Sequence, residues 1–174
     1  SLMHQAEYIR DGLEWSIWAR NMHLLAGSGK LRGLHNMCTI NALCLETLPE
    51  FLTYLIKLKE NYGRDFPSFT LNILRFPSFQ SPLVLPDDTR TFHKERLQRW
   101  FDQNVNNELL HEHELNQTQR LIDYLDVVKT PHSDTFDMPK LHNDFKQFYT
   151  QYDQRRHKDF QRTFPSMRGW YETL

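Results

Sequence analysis

The segment from Phe66 to Pro86 constrains the fold of this chain more than any other. It reads FPSFTLNILRFPSFQSPLVLP. Apolar residues occupy every second position from Phe69 to Ile73, which is the period of a β-strand with one buried face. Pro77 lacks a backbone donor and disfavours helix at the residue before it, so the strand is predicted to end there. Leu83 to Leu85 reads as a second short extended run. Pro86, followed by two aspartates, predicts the start of a long helix.

The residues before this segment predict a second strand and two helices. Glu7 to Ala26 has a helical pattern, Leu31 to Ile40 reads as a short and mostly buried strand, and Pro49 to Gly63 reads as a helix. The apolar face of the first helix is predicted to contain Ile9, Leu13, Ile17 and Leu24. The order is therefore helix, strand, helix, strand, helix. Helical connections of this length allow parallel strands.

Charge and composition argue against two classes of partner. The chain has 174 residues and a formal net charge of −1, which does not favour a broad surface for nucleic acid. It contains no apolar run approaching the roughly 20 residues of a membrane span. Its two cysteines, Cys38 and Cys44, do not make a disulfide framework, which suits a reducing cytoplasm.

Two or three parallel strands do not make a closed sheet. Purely parallel sheets are normally covered on both faces and are built from more strands. The predicted fold is therefore α/β: a partial TIM-like barrel of two or three parallel strands with covering helices, whose first strands lie upstream of Ser1. Residues 1–104 are predicted to form this half-barrel, and residues 105–174 a helical C-terminal extension packed on it.

Four segments, in this order, resemble the C-terminal half of a radical S-adenosylmethionine protein of the twitch-domain type. They are AEYIRDGL at Ala6–Leu13, CTINALCLETLPEFLTYLIKLKENYG at Cys38–Gly63, LRFPSFQSPLVLP at Leu74–Pro86 and FYTQYDQRRHKDFQRTFPSMRGWY at Phe148–Tyr171. Together they span nearly the whole chain. The resemblance implies a parent protein that cleaves S-adenosylmethionine reductively, producing a 5′-deoxyadenosyl radical that abstracts a hydrogen atom from its substrate.

The cluster that drives this chemistry in the family is not encoded here. The family holds a four-iron four-sulfur cluster with a Cys-x-x-x-Cys-x-x-Cys triplet, whereas five residues separate Cys38 from Cys44 and no third cysteine exists. We therefore expect no catalytic residue, no metal ligand and no bound cofactor in this fragment, which is predicted to be inactive alone. The cluster and S-adenosylmethionine are implied only for the full-length parent.

Four positions resemble cofactor contacts of the family. Arg10 matches a region where polar side chains reach the methionine carboxylate, for which a guanidinium fork is suited. Asn41 matches a strand end that meets the nucleoside, and the backbone from Ile73 to Phe76 matches one that lines the adenine pocket. Arg75 could meet an anionic substrate. Structural roles remain open: a surface or ion-pair role for Arg10, a turn cap for Asn41 and a salt bridge for Arg75.

Two charged clusters have structural interpretations. His111 and His113 are two residues apart on a predicted helix and point to different faces, so they are interpreted as part of a solvated face and not as ligands of one ion. Asp153 with Arg155 or Arg156 resembles a family motif and is predicted to clamp its helix to the barrel.

Two partners and one alternative function follow from these patterns. The missing N-terminal half of the parent is the first expected partner. A homodimer through the exposed edge of the Leu31–Ile40 strand is the second, since an unpaired edge favours association. The alternative function is a non-catalytic protein-interaction module of mixed α/β fold, with the helical tail as the surface for its partner.

Overall fold

Two short parallel strands lie among eight helices in residues 1–127 and 137–174, the part of the chain that the computed structural model describes. The strands are β1, His35–Ile40, and β2, Ser68–Ile73. The helices are α1, Met3–Ile9; α2, Trp15–Ala26; α3, Leu48–Tyr62; α4, Asp87–Asn104; α5, Glu112–Leu125; α6, Met138–Arg156; α7, Phe160–Thr163; and α8, Arg168–Thr173. Short 3₁₀ segments lie at Ala42–Thr47, Ser78–Gln80, Pro82–Val84 and Pro165–Met167.

The strands pair as the sequence predicts. β1 and β2 are parallel, in a register that runs from His35 opposite Ser68 to Ile40 opposite Ile73. Helix α3 connects them and packs seven buried residues, including the fully buried Leu52. The predicted order of strand, helix, strand and helix is confirmed from β1 to α4. The alternation in β2 and the apolar stripe of α3 made it predictable, because both patterns reflect burial.

The prediction of a partial TIM-like barrel is wrong. The structure is 67% helical and its sheet has only two strands in the described ranges, so the fold is mostly helical with a minor sheet. Helix α5 closes the outer edge of β2: Glu114 Oε1 accepts the Phe69 N–H at 2.8 Å, and Arg120 Nη2 donates to the Leu71 carbonyl at 2.8 Å. A helix therefore stands where a barrel would need its next strand.

Two further expectations are corrected in detail. The extended run predicted around Val84 is a 3₁₀ segment. The helix predicted from Glu7 to Ala26 is two helices, interrupted near Gly12, whose φ of +79° favours glycine. Its predicted apolar face is not buried throughout, since Ile17 is 40% exposed and Leu24 is 64% exposed.

One apolar cluster joins the N-terminal and C-terminal parts of the chain, from Tyr8 to Tyr171. Tyr8 Oη donates to Asp153 Oδ1 at 2.7 Å, and Arg156 Nη1 lies 2.9 Å from Asp11 Oδ2. Asp153 and Arg156 therefore join α6 to α1 and to Asp11 shortly after it, and not to a barrel as predicted. Of the helices in the described ranges, none is long and apolar enough to cross a membrane.

Candidate functional site

A cavity of about 660 Å³ opens beside the free edge of β1, between this strand, the following 3₁₀ segment and helices α1 and α2. This volume lies within the roughly 300–1,000 Å³ of small-molecule sites. The cavity is lined by Ser1, Ala6, Ile9, Arg10, Leu13, Trp15, Trp18, Asn36, Met37, Cys38, Thr39, Ile40, Asn41, Cys44, Phe51, Leu74 and Gln80. Four of these residues, Asn41, Cys44, Leu74 and Gln80, lie between the carboxyl end of a strand and the next helix.

Asn41 is a buried amide whose orientation is fixed by the backbone that follows it. Its Oδ1 accepts the N–H groups of Leu43 and Cys44, each at 3.1 Å, and so caps the 3₁₀ segment. Because those partners are both donors, the oxygen must face them and Nδ2 must point elsewhere. Nδ2 donates no hydrogen bond to the described residues, and Asn41 lines the cavity. The side chain therefore combines the predicted turn cap with a donor available to a ligand.

Arg10 supplies the cationic group of the cavity. It follows the last residue of α1, and its backbone N–H donates to the Ala6 carbonyl at 2.9 Å. Its exposed guanidinium has no hydrogen bond or ion pair within residues 1–127 and 137–174. The neighbouring carboxylate of Asp11 is paired with Arg156 at 2.9 Å and Lys158 at 3.2 Å. Arg10 is therefore free to bind an anion, for which its planar fork is suited.

The structure brings together two of the four positions named from the resemblance. Arg10 and Asn41 line the cavity, whereas Ile73 and Arg75 do not. Ile73 ends β2 and packs against the apolar core, and the exposed Arg75 guanidinium lies 5.7 Å from the centroid of the Tyr124 ring. Within the segment from Ile73 to Phe76, it is Leu74 that reaches the cavity.

Two tryptophans form a cavity wall that the sequence did not identify. The rings of Trp15 and Trp18 lie 4.8 Å apart and pack against Phe51 at 6.2 and 6.0 Å. Their spacing of three residues puts both on one face of α2. The same spacing is typical of a core helix, so the pattern alone could not separate a cavity wall from core packing.

The two cysteines also line the cavity as free thiols. Burial raises the pKa of Cys38 to about 12, which keeps its thiol neutral at pH 7. Iron–sulfur clusters are held by thiolates. No group of three or more histidine, cysteine, aspartate or glutamate side chains is placed to hold a metal ion in the described ranges. The residues present therefore do not fit an iron–sulfur cluster.

His111 and His113 lie close together but away from the cavity. Their rings are stacked, with centroids 5.3 Å apart, so the prediction that they point to different faces is wrong. His111 is the N-cap of α5, where its backbone N–H donates to Glu114 Oε2 at 2.7 Å in a capping box, and His113 is exposed. His111 therefore has a structural role, because it caps the start of α5.

Comparisons with protein-family models, curated proteins and solved structures found no match for this chain. None of them links it to a twitch-domain radical S-adenosylmethionine protein.

Proposed function

We propose that this chain is the C-terminal part of a radical S-adenosylmethionine protein and contributes Arg10 and Asn41 to the cofactor site. One observation supports the proposal: residues chosen from two separate sequence segments line a single cavity beside the carboxyl end of β1. Both side chains offer hydrogen-bond donors, one a cationic guanidinium and the other a buried neutral amide. Ligands in parallel α/β units bind near the carboxyl ends of the strands.

Each residue meets a different part of the cofactor. The Arg10 guanidinium binds the methionine carboxylate through paired hydrogen bonds. The Asn41 amide donates to an acceptor of the nucleoside, while its oxygen stays on the 3₁₀ cap. Trp15 and Trp18 give the cavity a flat apolar wall, as is common in nucleotide sites.

The radical step belongs to another part of the parent protein. S-adenosylmethionine, when an iron–sulfur cluster cleaves it, supplies a 5′-deoxyadenosyl radical. Since the thiols here do not fit a cluster, the N-terminal half of the parent is the partner that provides it, and this chain is inactive alone. Two free cysteines are compatible with a parent in the cytoplasm.

The proposal differs from the expectation that this fragment binds no cofactor, because Arg10 and Asn41 contact S-adenosylmethionine without the cluster. Calorimetric titration of the chain with S-adenosylmethionine tests the proposal. Asn41→Asp is the informative variant, because it keeps an oxygen for the Leu43 and Cys44 N–H groups and removes the donor. We expect its affinity to fall by about tenfold or more. Arg75→Gln is the matched control, since Arg75 lies outside the cavity, and its affinity should stay within about twofold of wild type. Absence of binding to the wild-type chain, or equal losses in both variants, would reject this assignment.

A protein-interaction module is the second candidate function. It is favoured by the exposed apolar side chains of α2, with Leu24 64% and Leu25 46% exposed, and by Met37 of β1, which is 70% exposed. Anaerobic iron reconstitution of a longer gene product separates the two functions. The cofactor proposal predicts broad visible absorbance, whereas a colourless product that does not bind S-adenosylmethionine favours the module.

A further inference from the structure

A second cavity, of about 450 Å³, lies where the first residues of α1 and α2 meet the N-terminal part of α3. This volume is also within the range of small-molecule sites. Trp15 lines both cavities, whereas Arg10 and Asn41 line the one beside β1 and not this one. A ligand in the second cavity therefore contacts neither of the residues assigned to the cofactor.

One face of α3 forms the floor of this second cavity. Pro49, Thr53 and Lys57 follow each other at intervals of four residues, and Glu50 and Tyr54 lie beside them at the same interval. Residues four apart are neighbours on the surface of a helix. The floor is therefore a continuous strip of α3, with a proline at one end and a lysine at the other.

The walls of the second cavity are apolar. Leu2 and Met3 come from the start of α1, and Trp15 comes from the start of α2. Met3 is 61% exposed, and the rings of Trp15 and Tyr54 have centroids 5.5 Å apart. Aromatic rings and a thioether favour a flat aromatic partner, because ring–ring and sulfur–ring contacts both stabilise a complex. We therefore expect the body of the ligand to be an apolar ring.

The floor has one acidic and one basic side chain, and the two differ in how they are paired. The carboxylate of Glu50 pairs with Arg96 of α4. The exposed Lys57 ammonium has no hydrogen bond or ion pair within residues 1–127 and 137–174. A carboxylate that enters the cavity is therefore attracted by Lys57, while the charge of Glu50 is already balanced by Arg96.

The two hydroxyl groups of the floor also differ. Thr53 Oγ1 donates to the Pro49 carbonyl at 2.9 Å and accepts the Trp100 Nε1–H at 3.0 Å. Tyr54 Oη is shielded from solvent and has no hydrogen-bond partner among the described residues. Burial raises the pKa of Tyr54, so its hydroxyl stays protonated near pH 7. An unpaired buried donor is destabilising, and an acceptor supplied by a ligand removes that cost.

We propose that the second cavity binds a small aromatic carboxylate. Its ring lies against Trp15 and Met3, and its carboxylate binds the Lys57 ammonium. The Tyr54 side chain turns so that its hydroxyl donates to the same carboxylate, since Tyr54 and Lys57 are three residues apart and share one side of α3. Arg10 lies outside this cavity, so the proposal does not rest on cofactor binding.

Calorimetric titration with 2-naphthoate as the probe tests this proposal. Lys57→Gln should weaken binding about fivefold or more, because it removes the cation that binds the carboxylate. Lys140→Gln removes the same charge from an exposed position of α6, outside both cavities, and should leave the affinity within about twofold of wild type. The neutral 2-naphthamide should bind the wild type and Lys57→Gln equally.

Two further variants show which cavity the probe occupies. Arg10→Gln should bind 2-naphthoate as the wild type does, since Arg10 lines the other cavity. Tyr54→Phe should weaken binding about threefold or more without lowering the free energy of unfolding, because the hydroxyl has no described partner in the unliganded chain.

Three results overturn the proposal. The first is no measurable binding of 2-naphthoate to the wild-type chain at millimolar concentration. The second is an equal loss of affinity in Lys57→Gln and Lys140→Gln, which would reflect net charge alone. The third is a loss confined to Arg10→Gln, because the probe then occupies the cavity beside β1.

Discussion

Lys59 Nζ lies 3.0 Å from Glu114 Oε1, and neither side chain is exposed to solvent. The same carboxylate accepts the backbone N–H groups of Phe69 at 2.8 Å and His111 at 2.7 Å, while Lys59 also donates to the Arg64 carbonyl at 2.6 Å. Burying two ions carries a large desolvation penalty, which the additional hydrogen bonds offset. The pair therefore holds α3, β2 and α5 in one arrangement, and it fixes the sheet behind the cavity.

Replacing Glu114 tests the importance of this pair. Glu114→Gln leaves the Lys59 ammonium buried without its counter-charge, so we expect the free energy of unfolding to fall by about 3–5 kcal/mol. Glu112→Gln, in the exposed first turn of the same helix, should change it by less than about 1 kcal/mol. Urea denaturation measures both values. Similar losses in the two variants would show that the buried pair does not stabilise the fold.

His93 predicts a pH dependence of stability. Burial, with a smaller contribution from the nearby Arg96 charge, lowers the pKa of His93 to about 4 from the usual 6.5. Between these values the unfolded chain binds a proton that the folded chain does not, so stability falls as the pH drops from 6.5 towards 4, by about 3 kcal/mol in total. His93→Leu should reduce this slope, and His4→Gln, at an exposed position, should not. Parallel pH profiles of wild type and His93→Leu would contradict the prediction.

Tyr8 should contribute much of the free energy by which the contact between α1 and α6 stabilises the fold. Burial, followed by the hydrogen bond to Asp153, raises the pKa of Tyr8, and so its hydroxyl remains a donor throughout the physiological range. Tyr8→Phe leaves one carboxylate oxygen of Asp153 without this donor. We expect a loss of about 1–3 kcal/mol in unfolding free energy. Tyr62→Phe, which removes an exposed bond to His23, is the control and should lose less. The reverse ranking would exclude the proposed clamp.

Helix α2 should be less protected from hydrogen exchange than α3. Met22 is the one residue of α2 that is buried, whereas α3 has seven. Local opening requires less free energy where little apolar surface is buried, so the α2 amides should exchange about a hundredfold faster. Mass-spectrometric exchange of the two peptides measures the difference. Equal protection would mean that a second copy of the chain covers α2. The protection of α2 should then rise with protein concentration.

Local sequence patterns predict the strands and α3, but they do not predict that α5 covers the outer edge of β2. The alternation from Phe69 to Ile73 reports burial on one face, and this was sufficient to assign β2. The barrel prediction failed because the hydrogen bonds that Glu114 and Arg120 make to β2 join residues more than 40 positions apart. Periodicity contains no information about such pairs. The burial of Lys59 is hidden for the same reason.

The cavity was predictable only in part. Asn41 follows a predicted strand, where an amide is a reasonable ligand. Arg10 lies in the segment Ala6–Leu13, which was selected because it resembles a segment of the family. Ile17 and Leu24 fit a buried helical stripe equally well, yet both are exposed, because no described element packs on that face of α2. A pattern of apolar residues does not state what covers them. For this reason the tryptophan wall and the free edge of β1 became visible only in the structure.

The most direct test compares two ligands, of which only S-adenosylmethionine has the amino-acid end, with its carboxylate, and the sulfonium charge. Calorimetry would measure the affinity of S-adenosylmethionine and of 5′-methylthioadenosine, which lacks the amino-acid end, for the wild-type chain and for Arg10→Gln. If Arg10 binds the carboxylate, the wild type should prefer S-adenosylmethionine by about tenfold or more, and the variant should lose this preference while binding methylthioadenosine unchanged. An identical preference in both proteins would contradict the assignment of Arg10 and, with it, the proposed cofactor site.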